Sequence, residues 1–215
     1  MPVSTGAKSA IGIAGAIVAA LAWIVWSQAG SATPGTAADL IDSLEKAERR
    51  PAAAVFDVGP VTINGESIRA IATPAASRIT WELRLPDRAR LEIALALKPE
   101  AWTVAGDGVL FRVGIAEGRT HEDVVTRVVN PYSRAEDRRW IPISVDLGAH
   151  SGFKWSLFYH PRLILWRIVL NTSAANPAGT EHGGDLPLWG EPRLASDSEL
   201  ELRPRPEGFA RPKDR

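Results

Sequence analysis

Arg78-Ile79-Thr80-Trp81-Glu82-Leu83-Arg84-Leu85, a Pro86-Asp87 break, and then Leu91-Glu92-Ile93-Ala94-Leu95-Ala96-Leu97 decide the class of fold. In the first stretch Ile79, Trp81, Leu83 and Leu85 fall on one side, and Arg78, Thr80, Glu82 and Arg84 on the other. A period of two is that of an extended strand with one side buried and one side wet. The second stretch repeats it, with Leu91, Ile93, Leu95 and Leu97 inward. Pro86-Asp87 is turn chemistry, because proline presets its own φ and aspartate bonds to nearby backbone.

The same grammar extends in both directions. Upstream, Ala54–Val58 and Glu66–Ala72 read as strands, the second entered through an Asn64-Gly65 turn. Downstream, Val109–Ile115 follows an Asp107-Gly108 turn, and Val124–Val129, Trp140–Leu147, Lys154–His160 and Leu163–Leu170 continue the series. About nine or ten short strands between Gly, Pro and Asp turns, with no β–helix–β alternation, predict an all-β fold, an antiparallel jelly-roll sandwich. Asn171–Leu186 reads as a long loop and Ala195–Arg215 as a disordered tail rich in proline and charge.

At the other end of the chain the pattern differs. Ala10–Trp26 is an unbroken apolar run of seventeen residues, roughly 25 Å as a helix, which is near the minimum for a bilayer span. Lys8 precedes it and no further cation follows until Lys46, so the positive-inside rule places everything after Trp26 outside the cytoplasm. We therefore expect a single-pass signal-anchor in the cytoplasmic membrane. The small residues at Ser27-Gln28-Ala29 and Gly30-Ser31-Ala32 keep open the alternative of a secreted protein after signal cleavage. Within Ala37–Arg50, the spacing of Leu40, Ile41, Leu44 and Ala47 predicts a short amphipathic helix. The expected organisation is a cytoplasmic N-terminus (1–9), a transmembrane helix (10–28), a linker with the short helix (29–50), the jelly roll (51–194) and a tail (195–215).

Composition narrows function by exclusion. The 215 residues carry 25 Lys+Arg against 25 Asp+Glu, so no global basic field exists to gather nucleic acid. Cysteine is absent, which removes disulfides, thiol nucleophiles and cysteine-ligated metals. His121, His150, His160 and His182 share no ligand spacing, so no metal is assigned. There is no Gly-x-Ser-x-Gly elbow, His-Glu-x-x-His helix, phosphate loop or dinucleotide-binding glycine motif. We expect no enzyme and no cofactor. A structural calcium ion held by Asp57, Asp107 or Asp146 is a lesser option, since no Asp-x-Asp-x-Asp-Gly loop is present.

Three pieces then appear in order: Gly106-Asp107-Gly108 leading into Val109–Val113; Trp140 followed by a strand ending Val145-Asp146-Leu147, with Gly152 after it; and Trp189-Gly190-Glu191-Pro192-Arg193. Leu40–Ala47 followed by Phe56-Asp57 precedes them. In this order the chain resembles extracytoplasmic β-jelly rolls of the carbohydrate-binding-module, galactose-binding-like type, found ahead of bacterial sulfatases and cell-surface glycan enzymes. The resemblance implies a non-catalytic module whose partner is a cell-surface polysaccharide or a glycan-processing enzyme. Sugar binding needs an aromatic platform beside carboxylates, amides and arginines. The candidate ligand set is Trp102, Asp107, Arg112, Tyr132, Trp189 and Glu191, with Asn130, Arg193, Trp155 and Tyr159 as further neighbours. Trp102 reads as the best exposed platform, Trp189 reads as packing ahead of ligand, and Trp81, Trp140 and Trp166 read as core. Phe153–Trp166 is apolar on both faces, which favours an alternative: a structural subunit that docks a protein partner through this segment and binds no sugar.

Overall fold

Both alternating stretches fold as strands: Ser77–Leu83 is β5, with Ile79 and Trp81 inward, and Ala89–Leu97 is β6, with Leu91, Ile93, Leu95 and Leu97 inward. The computed structural model describes residues 38–52, 55–86, 88–150, 165–176 and 186–196. Its other strands are β1 (Ala38–Asp39), β2 (Glu48–Arg50), β3 (Asp57–Ile63), β4 (Glu66–Ala72), β7 (Val109–Glu117), β8 (Thr120–Val129), β9 (Ile141–Asp146), β10 (Trp166–Ala174) and β11 (Pro187–Ser196). The predicted strand Lys154–His160, the apolar run at 10–28 and most of the tail lie outside the described residues. No helix among the described residues is long and apolar enough to cross a membrane.

Every strand pairing is antiparallel. One sheet runs β3-β4-β11-β6-β9, with β1 also on β11; the other runs β2-β5-β10-β7-β8. From β4 to β11 the chain passes back and forth between the two sheets, interrupted by the β7–β8 hairpin. This is the jelly-roll winding, which turns alternate strands into two facing apolar layers. Those layers meet in one core, with Ile71, Leu91, Ile93, Leu95, Ile141 and Trp189 from one side and Ile79, Trp81, Phe111, Val113, Ile168 and Leu170 from the other. Phe111 and Trp189 touch edge to face across it, with ring centroids 4.9 Å apart at 81°.

The first sheet is buried on its outer face as well. Ile63, Ile68, Ala70, Ala94, Ala96, Trp140 and Leu188 form a second apolar cluster there, with Trp102 packed against it. Its centre is a seat of small residues. A β-carbon at Gly190 would lie 2.9 Å from Trp140 Cζ3, 3.1 Å from Ile68 Cγ2 and 3.2 Å from Ala94 Cβ, so the indole rests where a side chain would otherwise stand. Beyond Gly190 a bulge shifts the register of β11 against β6 between Gly190 and Arg193. There β11 stops pairing β4 and begins pairing β1, and Pro192, which has no N–H to give a ladder, sits at the changeover.

Over residues 38–50 the structure corrects the expected helix. The chain pairs as β1 on β11, makes a 3-10 turn at Leu44–Lys46, and pairs again as β2 on β5. The apolar stripe is genuine, since Leu40, Ile41, Leu44 and Ala47 are all buried in the main core. Tertiary bonds win over helical propensity here: Leu40 N–H donates to Pro192 O (2.9 Å), Ile41 N–H to Asp39 Oδ1 (2.9 Å), and Trp81 Nε1–H to Leu40 O (3.1 Å). Other boundaries also move: the strand expected at Ala54–Val58 forms instead as β3 at Asp57–Ile63, and β8 starts at Thr120 rather than Val124. β10 runs on to Ala174 into the expected loop, and β11 takes Ala195 and Ser196 from the expected tail.

Candidate functional site

Antiparallel winding gathers three connections at one end of the sandwich, 73–76, 98–108 and 130–140, beside the C-terminal end of β10 and the start of β11. Three of the six predicted ligand residues sit on two of them, Trp102 and Asp107 on the β6–β7 connection and Tyr132 on the β8–β9 connection. Asn130 locks the two together. Its Nδ2 donates to Gly106 O (2.9 Å), its Oδ1 accepts from Ser133 N–H (3.1 Å), and its own N–H donates to Asp137 Oδ2 (2.9 Å). Gly108 allows the close approach, because a β-carbon there would be 2.4 Å from Val129 O and 2.7 Å from Asn130 Cβ.

Asp137 is the anchor of the second loop. Its carboxylate is 1% exposed and lies 3.2 Å from Arg134 Nε and 3.6 Å from Arg127 Nη2. Arg134 also donates to Val128 O (3.0 Å), and Arg138 Nε to Pro131 O (2.8 Å). A loop whose backbone carbonyls and N–H groups are taken up in this way holds its remaining side chains in place. Tyr132 is the aromatic one left outward, at 49% exposure.

Neighbouring connections are joined to this end by backbone bonds from Lys98 N–H to Leu186 O, Thr73 N–H to Pro187 O and Ala175 N–H to Gly108 O, each 3.0 Å. Beneath them, Thr172 Oγ1 donates to Pro74 O (3.1 Å) and accepts from Ser77 Oγ (2.7 Å). Thr73 Oγ1 is buried there without a hydrogen-bond partner.

The remaining predictions scatter. Trp189 is corrected: at 0% exposure, edge-on to Phe111, it is core and presents nothing to a ligand. Alternation explains the outcome, since Gly190 must face outward under Trp140 and its neighbour Trp189 must therefore face in. Trp102 is half-buried rather than a free platform. It lies in a 3-10 turn (Pro99–Thr103), its Nε1–H donates to Leu97 O (3.1 Å), and one side packs on the outer apolar cluster. Glu191 is half-buried at the β11 bulge with a left-handed φ of 39°. Burial pushes its carboxyl above the usual glutamate range, against the pull of Arg193 and Arg69. Arg69 faces this region from β4; its hydrogen bond to Asp42 (2.6 Å) raises its already high pKa. Trp155 and Tyr159 lie outside the described residues. Asp57 and Asp107 are exposed at the loop end, whereas Asp146 is at the opposite end and accepts from Gly148 N–H (2.7 Å).

Arg112 belongs to a different surface, the outer face of the β2-β5-β10-β7-β8 sheet. It stands opposite Asn171, which stands opposite Arg78. Sequence reading missed Arg78 and Asn171 as its companions. The alternation of 78–85 already put Arg78 outward, but only the strand order β5-β10-β7 makes it a near neighbour of Arg112.

No protein-family model matches the chain. An uncharacterized protein of Archaeoglobus fulgidus is 28% identical over 114 residues, 53% of this chain and 25% of that protein. The chain thus spans about a quarter of the length of that curated relative. Among solved structures, the chain is similar to TmCBM61 in complex with beta-1,4-galactotriose, with a TM-score of 0.44, 10% identity, and coverage of 77% of this chain and 97% of that one. It is also similar to CBM51 from Clostridium perfringens GH95 in complex with methyl-galactose, with a TM-score of 0.42, 17% identity, and coverage of 74% and 100%.

Proposed function

We propose that the protein is a non-catalytic glycan-binding module that takes its sugar at the loop end of the sandwich. One observation carries the reading: Tyr132 stands exposed on a loop locked by Asn130 against the loop that bears Asp107. A phenol ring offers a face for the C–H side of a pyranose, and a carboxylate accepts from its hydroxyls. Trp102 contributes its free edge from the same connection, while its indole N–H stays on Leu97 O. The loops are fixed by their own hydrogen bonds, so little ordering opposes binding. Ala10–Trp26 acts in this proposal as the membrane anchor that holds the module outside the cytoplasm, near the envelope polysaccharide or the enzyme that processes it.

Full-length protein titrated against a panel of bacterial envelope glycans, neutral and acidic, tests the proposal. We expect saturable binding that weakens about tenfold in Tyr132→Ala, the size of one lost stacking contact of roughly 1–1.5 kcal/mol. A folded protein that binds none of the panel, or binds equally well without the Tyr132 ring, refutes it.

A further inference from the structure

We infer that the outer face of the β2-β5-β10-β7-β8 sheet is a second binding surface, which takes a carboxylated or sulfated glycan along the row Arg78–Asn171–Arg112. Its ligand class rests on the glycan-binding reading above; the row itself does not. Register places Arg78 opposite Asn171, Asn171 opposite Arg112, and Arg112 opposite Thr126. Neighbouring strands are about 4.8 Å apart, so the two arginines rise from one face roughly 10 Å apart, with an amide between them.

The charges on this face are unevenly partnered. Glu48 is taken by Arg50 (2.7 Å), Asp123 by His121 (2.9 Å), and Glu82 stands directly opposite Arg167. Arg78 and Arg112 have no hydrogen bond or ion pair to a described residue, and Arg50 directly opposite Arg78 adds a like charge. Like charges facing each other across strands destabilise a sheet. An anion laid along the row relieves that cost.

The chemistry of the row selects the anion. Two guanidinium forks match the paired oxygens of a carboxylate or sulfate. Between and beside them, the Asn171 amide and the Thr126 hydroxyl suit the neutral hydroxyls of a sugar. This row lacks what a nucleic acid needs. No Phe, Tyr or Trp side chain among the described residues projects from this face to stack bases, and the chain as a whole carries no net charge.

The test is binding of full-length protein to polygalacturonate, dextran sulfate, neutral dextran and single-stranded DNA. It is run at two salt concentrations for the native protein, Arg78→Gln, Arg112→Gln, Arg112→Lys and Tyr132→Ala. The inference expects salt-sensitive binding to polygalacturonate, dextran sulfate or both. The stronger of those two identifies the oxyanion. Each Gln variant loses about tenfold or more, Arg112→Lys recovers part of it, and thermal stability does not fall in any of them because the side chains project from the sheet. Loss in Tyr132→Ala with the arginine variants unaffected overturns the inference and leaves the loop-end site standing. No binding to either acidic polymer also overturns it, while the envelope-glycan panel decides the loop end separately. DNA binding as strong as glycan binding, and equally dependent on Arg78 and Arg112, overturns the glycan assignment in favour of a nucleic acid.

Discussion

Gly190→Ala adds a single methyl group, and the structure says where it goes. The new carbon would sit 2.9 Å from Trp140 Cζ3, 3.1 Å from Ile68 Cγ2 and 3.2 Å from Ala94 Cβ. Ladder-bonded strands hold Ile68 and Ala94, so the indole must yield. Trp140 is tethered through Nε1–H to Glu66 O by a long 3.4 Å bond, and its ring closes the outer apolar cluster. Overpacking of this kind costs about 1–3 kcal/mol. Replacing glycine in a strand returns roughly 0.5–1 kcal/mol through the unfolded chain. The net expectation is a loss of about 1–2 kcal/mol, a fall of roughly 2–8 °C in Tm for a domain of this size. Thermal and urea unfolding of the native protein, Gly190→Ala, Trp140→Ala and the double variant give the full cycle. Once the indole is gone the methyl has room, so the Gly190 penalty should shrink in the Trp140→Ala background, with a coupling above about 0.5 kcal/mol. A Gly190→Ala protein as stable as the native one, or strictly additive costs, would refute the packing argument.

Three further outcomes follow from the same structure. Asp137→Ala strands the Asn130 N–H and leaves Arg127 and Arg134 without their carboxylate. Discounted for the partly exposed arginines, the loss should be about 2–3 kcal/mol in urea unfolding, and glycan affinity should fall with it as the Tyr132 loop loosens. Trp189→Phe should cost about 1–2 kcal/mol of stability and leave glycan affinity unchanged, because the ring is core; a ligand-binding defect in a stable protein would contradict this. Glu191 titrates above its ordinary value because it is buried, so its protonated form suits the fold better than its ionised form. The stability it contributes is therefore full below its unfolded pKa and is lost as pH rises through the higher folded one. Glu191→Gln should unfold at the same temperature as the native protein or above it at pH 7, and should abolish this residue's gain between neutrality and the ordinary glutamate range. A Gln variant that is less stable at pH 7 would show that the charge supports the fold.

What lay open in the sequence was whatever depends on one strand at a time. Alternation in 78–85 and 91–97 assigned strands and inward faces, because a period of two is a local property of extended backbone. The Asn64-Gly65 turn was equally legible, and both residues adopt positive φ, 52° and 85°. The pairing of Gly190 with Trp140 was hidden, since some fifty residues separate them and no local pattern marks a glycine as a seat for a distant ring. For the same reason Trp189 stayed in the candidate ligand set, although packing was the favoured reading, until its contact with Phe111 across the sandwich made it core.

By itself, then, the sequence determined the all-β class, the strands β4 to β7 with the inward faces of β5 and β6, and the absence of cysteine or familiar catalytic motifs. The tertiary structure alone decided the rest. It turned the apolar stripe at 40–47 into a plug between β1 and β2, because cross-chain bonds to Pro192 and from Trp81 outcompeted a helix too short to hold itself. It brought Tyr132 beside the Asp107 loop and Arg78 within two strands of Arg112. Strand order is a non-local property, set by how facing layers bury their apolar sides together, and a linear pattern of residues does not contain it.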